Sequence, residues 1–182
     1  MGCYPSLYNH LLVAAMGYAP QILEQPPTGM CYHIRHAIWE RHFKTNPAPD
    51  PDAYWQRVLT LKPGERAVIL AFSFSEEVHN GGFHQFFLNG DGFRRARATA
   101  AGLELLGFQE MAKFLRRAIE ICHIPDPVPP DYEFDPLMPQ EGGEDLMTPL
   151  SELDTEFYRA YTNKDWNQRL IDFVRAHQDE FV

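Results

Sequence analysis

The chain of 182 residues is short of several things, and each shortage closes off a class of protein. It holds only three cysteines, Cys3, Cys31 and Cys122. Their odd number and wide spacing suit reduced thiols rather than a disulfide framework. Cys31 and Cys122 read as small buried residues. No run approaches the roughly 20 apolar residues a membrane helix needs. The first basic residue is Arg35, so the positive flank of a secretory signal is missing, and a cytoplasmic location is the expectation. The opening MGCYPS does fit an acylation pattern, but one short enough to arise by chance. There is no Gly-x-Ser-x-Gly, no Gly-Lys-Ser/Thr phosphate loop and no Cys-x-x-Cys. Nucleophilic, nucleotide and dithiol chemistry therefore lack their usual carriers.

What is present is a packed core and an uneven charge. Hydrophobic residues make up 45% and aromatics 13%, which excludes general disorder. Residues 1–49 carry 3 basic and 2 acidic side chains, and residues 50–122 carry 9 of each. Residues 123–182 carry 4 basic against 14 acidic, so the net charge of −9 belongs to the last third. Such a field repels nucleic acid and membrane phosphates and attracts a basic partner.

Apolar periodicity predicts helices over about 5–16, 28–45, 51–60, 64–79, 82–88, 92–106, 108–122, 149–161 and 164–178. The run AVILAFSF (67–74) matches a buried strand on periodicity alone. It continues without a breaker from Glu65 to Val78, a length that favours a helix. Thr148, followed by Pro149, is the expected cap of the eighth helix. No series of strands and turns appears, so the class expected is all-α, a single compact multi-helix domain with a long Pro-rich acidic loop. That loop is 123–149, with seven prolines, Gly142–Gly143 and no Lys or Arg. Its acids are Asp126, Asp131, Glu133, Asp135, Glu141, Glu144 and Asp145. A loop of that length is usually functional or disordered.

EEVHNGGFHQFFLNGDG (76–92) concentrates glycines, aromatics and amides. Asn80, Gly81 and Gly82 follow a helix and accept the left-handed conformation that closes a last turn. Phe83, Phe86 and Phe87 recur at helical spacing, and Asn89-Gly90-Asp91-Gly92 makes a second turn. This corner reads as structural. The competing reading is a polar pocket lined by Glu77, Asn80, His84 and Gln85. Arg94, Arg95 and Arg97 behind Gly90 to Gly92 suit either an anion at a helix start or pairing with the acidic segment, and the pairing is favoured.

Glu76-x-x-His79 and Glu120-x-x-His123 have the spacing of di-iron bundle ligands, and His33, His36 and Glu40 share a helix face. Yet 8 His and 14 Glu in 182 residues predict about 0.6 such pairs by chance. No metal or other cofactor is expected.

EEVHNGGFHQFFLNGDG, followed by ARATAAGLELLG, MAKFLRRAIEI and LSELDTEFYRAY with a closing helix, resembles the bacterial family of small acidic proteins whose best-known member is a DNA mimic. The resemblance covers about residues 62–182 and leaves 1–61 as an N-terminal helical extension. It implies that Glu77, Asn80, Gly81, Gly82, Phe83, Gln85 and Phe86 form the fold, and that surface acids bind a DNA-binding transcription factor in place of its operator. The reading is a non-enzymatic acidic interaction protein with a basic protein partner, no direct nucleic-acid or membrane binding, and an assembly state open up to a dimer. The nine basic residues of the middle third confine a mimic surface to the acidic C-terminal third. The alternatives are a metal-binding helical-bundle enzyme using the Glu-x-x-His pairs, and an immunity-type inhibitor of a basic toxin.

Overall fold

The computed structural model describes residues 30–135, 145–160 and 166–181. The expected helix over 5–16 lies outside them. The protein is all-α: among the described residues there is no strand. The helices are α1 (Met30–His42), α2 (Pro51–Thr60), α3 (Pro63–Leu88), α4 (Gly92–Leu105), α5 (Gln109–Ile121), α6 (Met147–Ala160) and α7 (Trp166–Ala176), with short 3-10 turns at Asn89–Asp91 and Gln178–Phe181. The chain divides into two compact units, Met1–Glu65 with Lys164–Val182, and Arg66–Asn163.

In the first unit α1 packs against α7. Ile34 and Ile38, one turn apart on α1, are fully buried, as are Leu170 and Val174 on α7. Asp50 accepts a hydrogen bond from the Ala53 amide at 2.7 Å, and Pro51 opens α2. Glu65 is 1% exposed and holds His42 Nε2 at 3.0 Å, with Arg41 at 3.8 Å. The Gly64 amide donates to Glu180 at 2.5 Å, and Lys62 to the Asp179 carbonyl at 3.0 Å. These bonds tie the chain's last turn to the start of α3.

The second unit is built around α3. AVILAFSF is helical, and Ala67, Val68, Ile69, Leu70, Ala71 and Phe74 are all buried. α4 and α5 form an antiparallel pair. On α5 the buried residues Met111, Ala112, Leu115, Ala118 and Ile119 follow the i, i+1, i+4, i+7, i+8 spacing of a single stripe. Gly102 on α4 brings the backbones together, since a Cβ there would lie 3.1 Å from the Ala67 Cα. Two helix ends close in the same way. Phe108 donates to Leu103 and Gly107 to Glu104, with Gly107 left-handed at φ 83°. Ile124 donates to Ile119 and His123 to Glu120, with His123 at φ 49°.

One helix start differs from the expectation. α6 begins at Met147 and is capped by Asp145, which accepts from the Met147 amide at 2.9 Å and the Thr148 hydroxyl at 2.5 Å. Thr148 is thus a donor to the cap and not the cap itself. A carboxylate beside the free first-turn amides is the stronger acceptor, and those bonds hold the Asp145 carboxyl below its usual range.

Candidate functional site

The 76–92 corner is a kink within α3. Gly81 and Gly82 leave the helical region, and only Gly82 is left-handed, at φ 82°. Two side chains of α6 complete the break. Asp154 accepts from the Phe83 amide at 2.8 Å, capping the second half of α3. The Tyr158 hydroxyl donates to the Val78 carbonyl and is also bonded by the Gly82 amide. Val78 and Gly82 are four residues apart, so the phenol stands where the helix's own hydrogen bond would have run. Burial raises the Asp154 carboxyl above its usual range, with the Phe83 amide and His84 opposing. Burial also raises the Tyr158 phenol, aided by Asp154.

Beneath the kink lies a phenylalanine cluster. Phe74, Phe83, Phe86, Phe87 and Phe157 are buried at 1% exposure or less. Phe74 meets Phe86 edge-on at 5.2 Å, and Phe157 meets Phe83 at 5.5 Å. Edge-to-face pairs of this kind contribute about 0.5–1.5 kcal/mol each beyond the area they bury. Glu77 then bridges the kink, accepting from Gln85 at 2.9 Å and Asn89 at 2.6 Å. Of the motif residues, Glu77, Gly82, Phe83, Gln85 and Phe86 are thus brought together, whereas Asn80 is exposed. Of the competing polar set, Glu77 and Gln85 satisfy each other, while His84 faces Asp154.

Replacing Asp154 by alanine leaves the Phe83 amide without its acceptor and should cost about 1 kcal/mol. Asparagine keeps an acceptor oxygen without the penalised charge, so Asp154→Asn should stay within about 0.5 kcal/mol of the parent. Urea unfolding of the two variants checks this. Equal losses in both would mean that the carboxylate's charge, and not its acceptor, supports the kink.

The arginines behind the corner donate to carbonyls of their own chain. Arg95 is 3% exposed, donates to the Gly90 carbonyl and, at 3.2 Å, to that of Asn89, and lies over the Phe86 ring. Arg94 donates to the carbonyls of Pro129 (2.8 Å), Pro130 (3.0 Å) and Tyr132 (2.6 Å). Arg97 donates to those of Ile124 (2.7 Å) and Pro125 (2.9 Å), and its Nε lies 3.2 Å from the Asp126 carboxylate.

The acids of the Pro-rich segment separate into groups. Asp126 is paired with Arg97, Asp145 caps α6, and Asp135 is half-buried. Asp131 and Glu133 are exposed beside a shallow depression floored by Phe93, Tyr132 and Phe134, and no hydrogen bond or ion pair to a described residue holds either carboxylate. Glu141 and Glu144 lie outside the described residues.

Among the described residues no group of three or more His, Cys, Asp or Glu is placed to share a metal ion. His79 is engaged by the Ser75 carbonyl at 2.6 Å, His36 lies 3.7 Å from Glu40, and His123 is the residue that closes α5. Cys122 is buried, which pushes its thiol up to about 12 and leaves it unreactive at neutral pH. No described helix is long and apolar enough to cross a membrane.

Fold and corner together describe a helical protein whose glycine- and phenylalanine-rich stretch kinks α3 over a buried aromatic cluster. A family model described as DMP19-like protein matches residues 59–177, and the chain belongs to that family. No curated protein and no solved structure matches it. The residues reached only through the structure are Asp154 and Tyr158. Their signal in the sequence is faint: they stand four apart on α6, a polar pair on a helix whose buried residues are Leu150, Leu153 and Phe157.

Proposed function

We propose that the protein is a non-enzymatic interaction protein which presents the acidic segment 124–135 to a basic, DNA-binding partner as a mimic of duplex phosphate, with a transcription factor as the partner class. The observation that carries the reading is the state of Asp131 and Glu133. Both carboxylates are exposed and in no ion pair with a described residue, although Arg94 lines the same depression, on a segment whose backbone is anchored by two arginines. Membership of the DMP19-like family supports it, since the family's resemblance is to DNA mimics. The exposed acids elsewhere in the second unit are partly spent within the chain: Glu104 meets Arg116 at 2.8 Å, Glu110 meets Lys113 and Glu156 meets Arg117, each at 2.6 Å. Solvent-exposed pairs like these contribute little to stability, but they mute the local field.

The test is a neutralised variant, Asp126→Asn, Asp131→Asn, Glu133→Gln and Asp135→Asn, with Asp145 kept because it caps α6. Its helicity and melting temperature should match the parent's. Capture of the partner, isolated from lysate at low salt and eluted by rising salt, should fall at least about tenfold, or about 1.4 kcal/mol. Duplex DNA should compete with the parent protein for that partner. Undiminished capture, or a partner indifferent to DNA, removes the mimic reading.

A further inference from the structure

We infer that Arg94 and Arg97 are positioning residues for the acidic face, an assignment that rests on the proposed function above and deepens it. Segment 124–132 contains Pro125, Pro127, Pro129 and Pro130, each without an amide N–H. It therefore has carbonyl acceptors in excess of donors, and its one internal backbone bond among the described residues runs from Tyr132 to Pro129 at 3.1 Å. The donors come instead from two guanidinium forks, three residues apart on α4. Arg94 reaches the carbonyls of Pro129, Pro130 and Tyr132, and Arg97 those of Ile124 and Pro125. A planar fork with five fixed N–H donors can hold several carbonyls at once, which a lysine ammonium does less well.

The arrangement has a consequence for charge. Arg94 and Arg97 point their donors at backbone oxygens, with Asp126 the single segment acid paired to them. Asp131 and Glu133 remain exposed while the strand of chain that carries them is fixed. Two of the nine basic residues of the middle third, which at first sight oppose an acidic binding surface, thus build it. A surface held in one conformation loses less entropy when a rigid partner docks on it.

The test exploits opposite signs. Arg94→Gln with Arg97→Gln makes the face more negative, so simple attraction predicts tighter binding of any cation. Positioning predicts the reverse for a rigid ligand. Two probes are used: a crosslinked helical peptide with arginines along one face, and a flexible oligo-arginine peptide. The double variant should keep the parent's helicity and lose about fivefold or more affinity for the helical peptide. It should bind the flexible peptide as well as the parent or better. Amide ¹⁵N order parameters of Asp126, Val128, Asp131, Tyr132 and Glu133 should fall from a rigid value of about 0.85 to below about 0.6. Arg94→Lys with Arg97→Lys keeps the charge without the fork, and should show the same loosening.

Tighter binding of both probes by the glutamine variant, or unchanged order parameters, overturns the assignment. A parent that binds neither peptide overturns the acidic-face reading, and with it any positioning role in binding. In that case lowered order parameters in the variants still mark the arginines as what holds the segment, so the two failures are told apart.

Discussion

Replacing Phe86 with alanine is expected to cost about 3–5 kcal/mol of folding free energy, enough to unfold a marginal domain near physiological temperature. The ring has no exposed surface. It meets Phe74 edge-on at 5.2 Å and Phe87 at 5.6 Å, and the Arg95 guanidinium covers it at 5.6 Å. Truncation removes the transfer energy of the ring and leaves a cavity whose walls are backbone-anchored helices. It also takes away the face on which a nearly buried cation rests, so Arg95 loses part of what offsets its desolvation. Phe86→Leu keeps most of the volume and should lose under about 1.5 kcal/mol. Chemical denaturation of the two variants gives the comparison directly. A Phe86→Ala protein that unfolds with the parent's midpoint would show that the aromatic corner is peripheral to folding.

Most of the helical frame was legible because it rests on periodicity, which is a local property. Leu150, Leu153 and Phe157 announce α6, and Trp166, Leu170, Phe173 and Val174 announce α7, through spacing alone. Length decided AVILAFSF correctly for the same reason: a strand of eight residues needs a breaker, and none occurs before the kink. Gly82 was readable as a left-handed position because asparagine and glycines after an apolar stripe have few other uses.

What the pattern could not supply depends on which helix meets which. Asp154 and Tyr158 lie about seventy to eighty positions beyond the kink they complete, and nothing in their neighbourhood marks them as caps. That Arg94 and Arg97 engage the acidic segment was legible from charge, whereas their acceptors were not: apart from the ion pair of Arg97 with Asp126, they donate to the segment's backbone carbonyls. The Glu-x-x-His pair ending at His123 falls at a helix end. Its spacing is that of a ligand pair, and the same two residues are joined through the backbone, where the His123 amide donates to the Glu120 carbonyl and closes α5.

The second large effect is expected at Gly92, where the constraint is space and not backbone conformation. Its φ of −52° is ordinary helix, so any residue could adopt it. A Cβ built there would nevertheless stand 1.7 Å from the Phe86 carbonyl oxygen and 2.7 Å from its carbon. Gly82 makes the useful contrast. There φ is 82° and the obstacle is the Asp154 carboxylate, 2.2 Å away, a side chain that can swing aside at the expense of the Phe83 cap. Gly82→Ala should therefore cost about 1–2 kcal/mol, from the strained φ and the lost cap together. At Gly92 the obstacle is backbone in the last turns of α3, directly behind the buried Phe86 and Phe87, so relief requires moving the helix that carries the aromatic cluster. Gly92→Ala should cost about 3 kcal/mol, the upper end for overpacking, despite alanine's better helix propensity. Melting curves for the two single variants and for Gly82→Ala combined with Asp154→Ala separate the mechanisms. The Gly82 and Asp154 changes share one contact and should not add, whereas the Gly92 loss should be undiminished by any change at Asp154. A Gly92→Ala variant as stable as the parent would mean that α3 and α4 are not in the close backbone approach on which the packing of the corner depends.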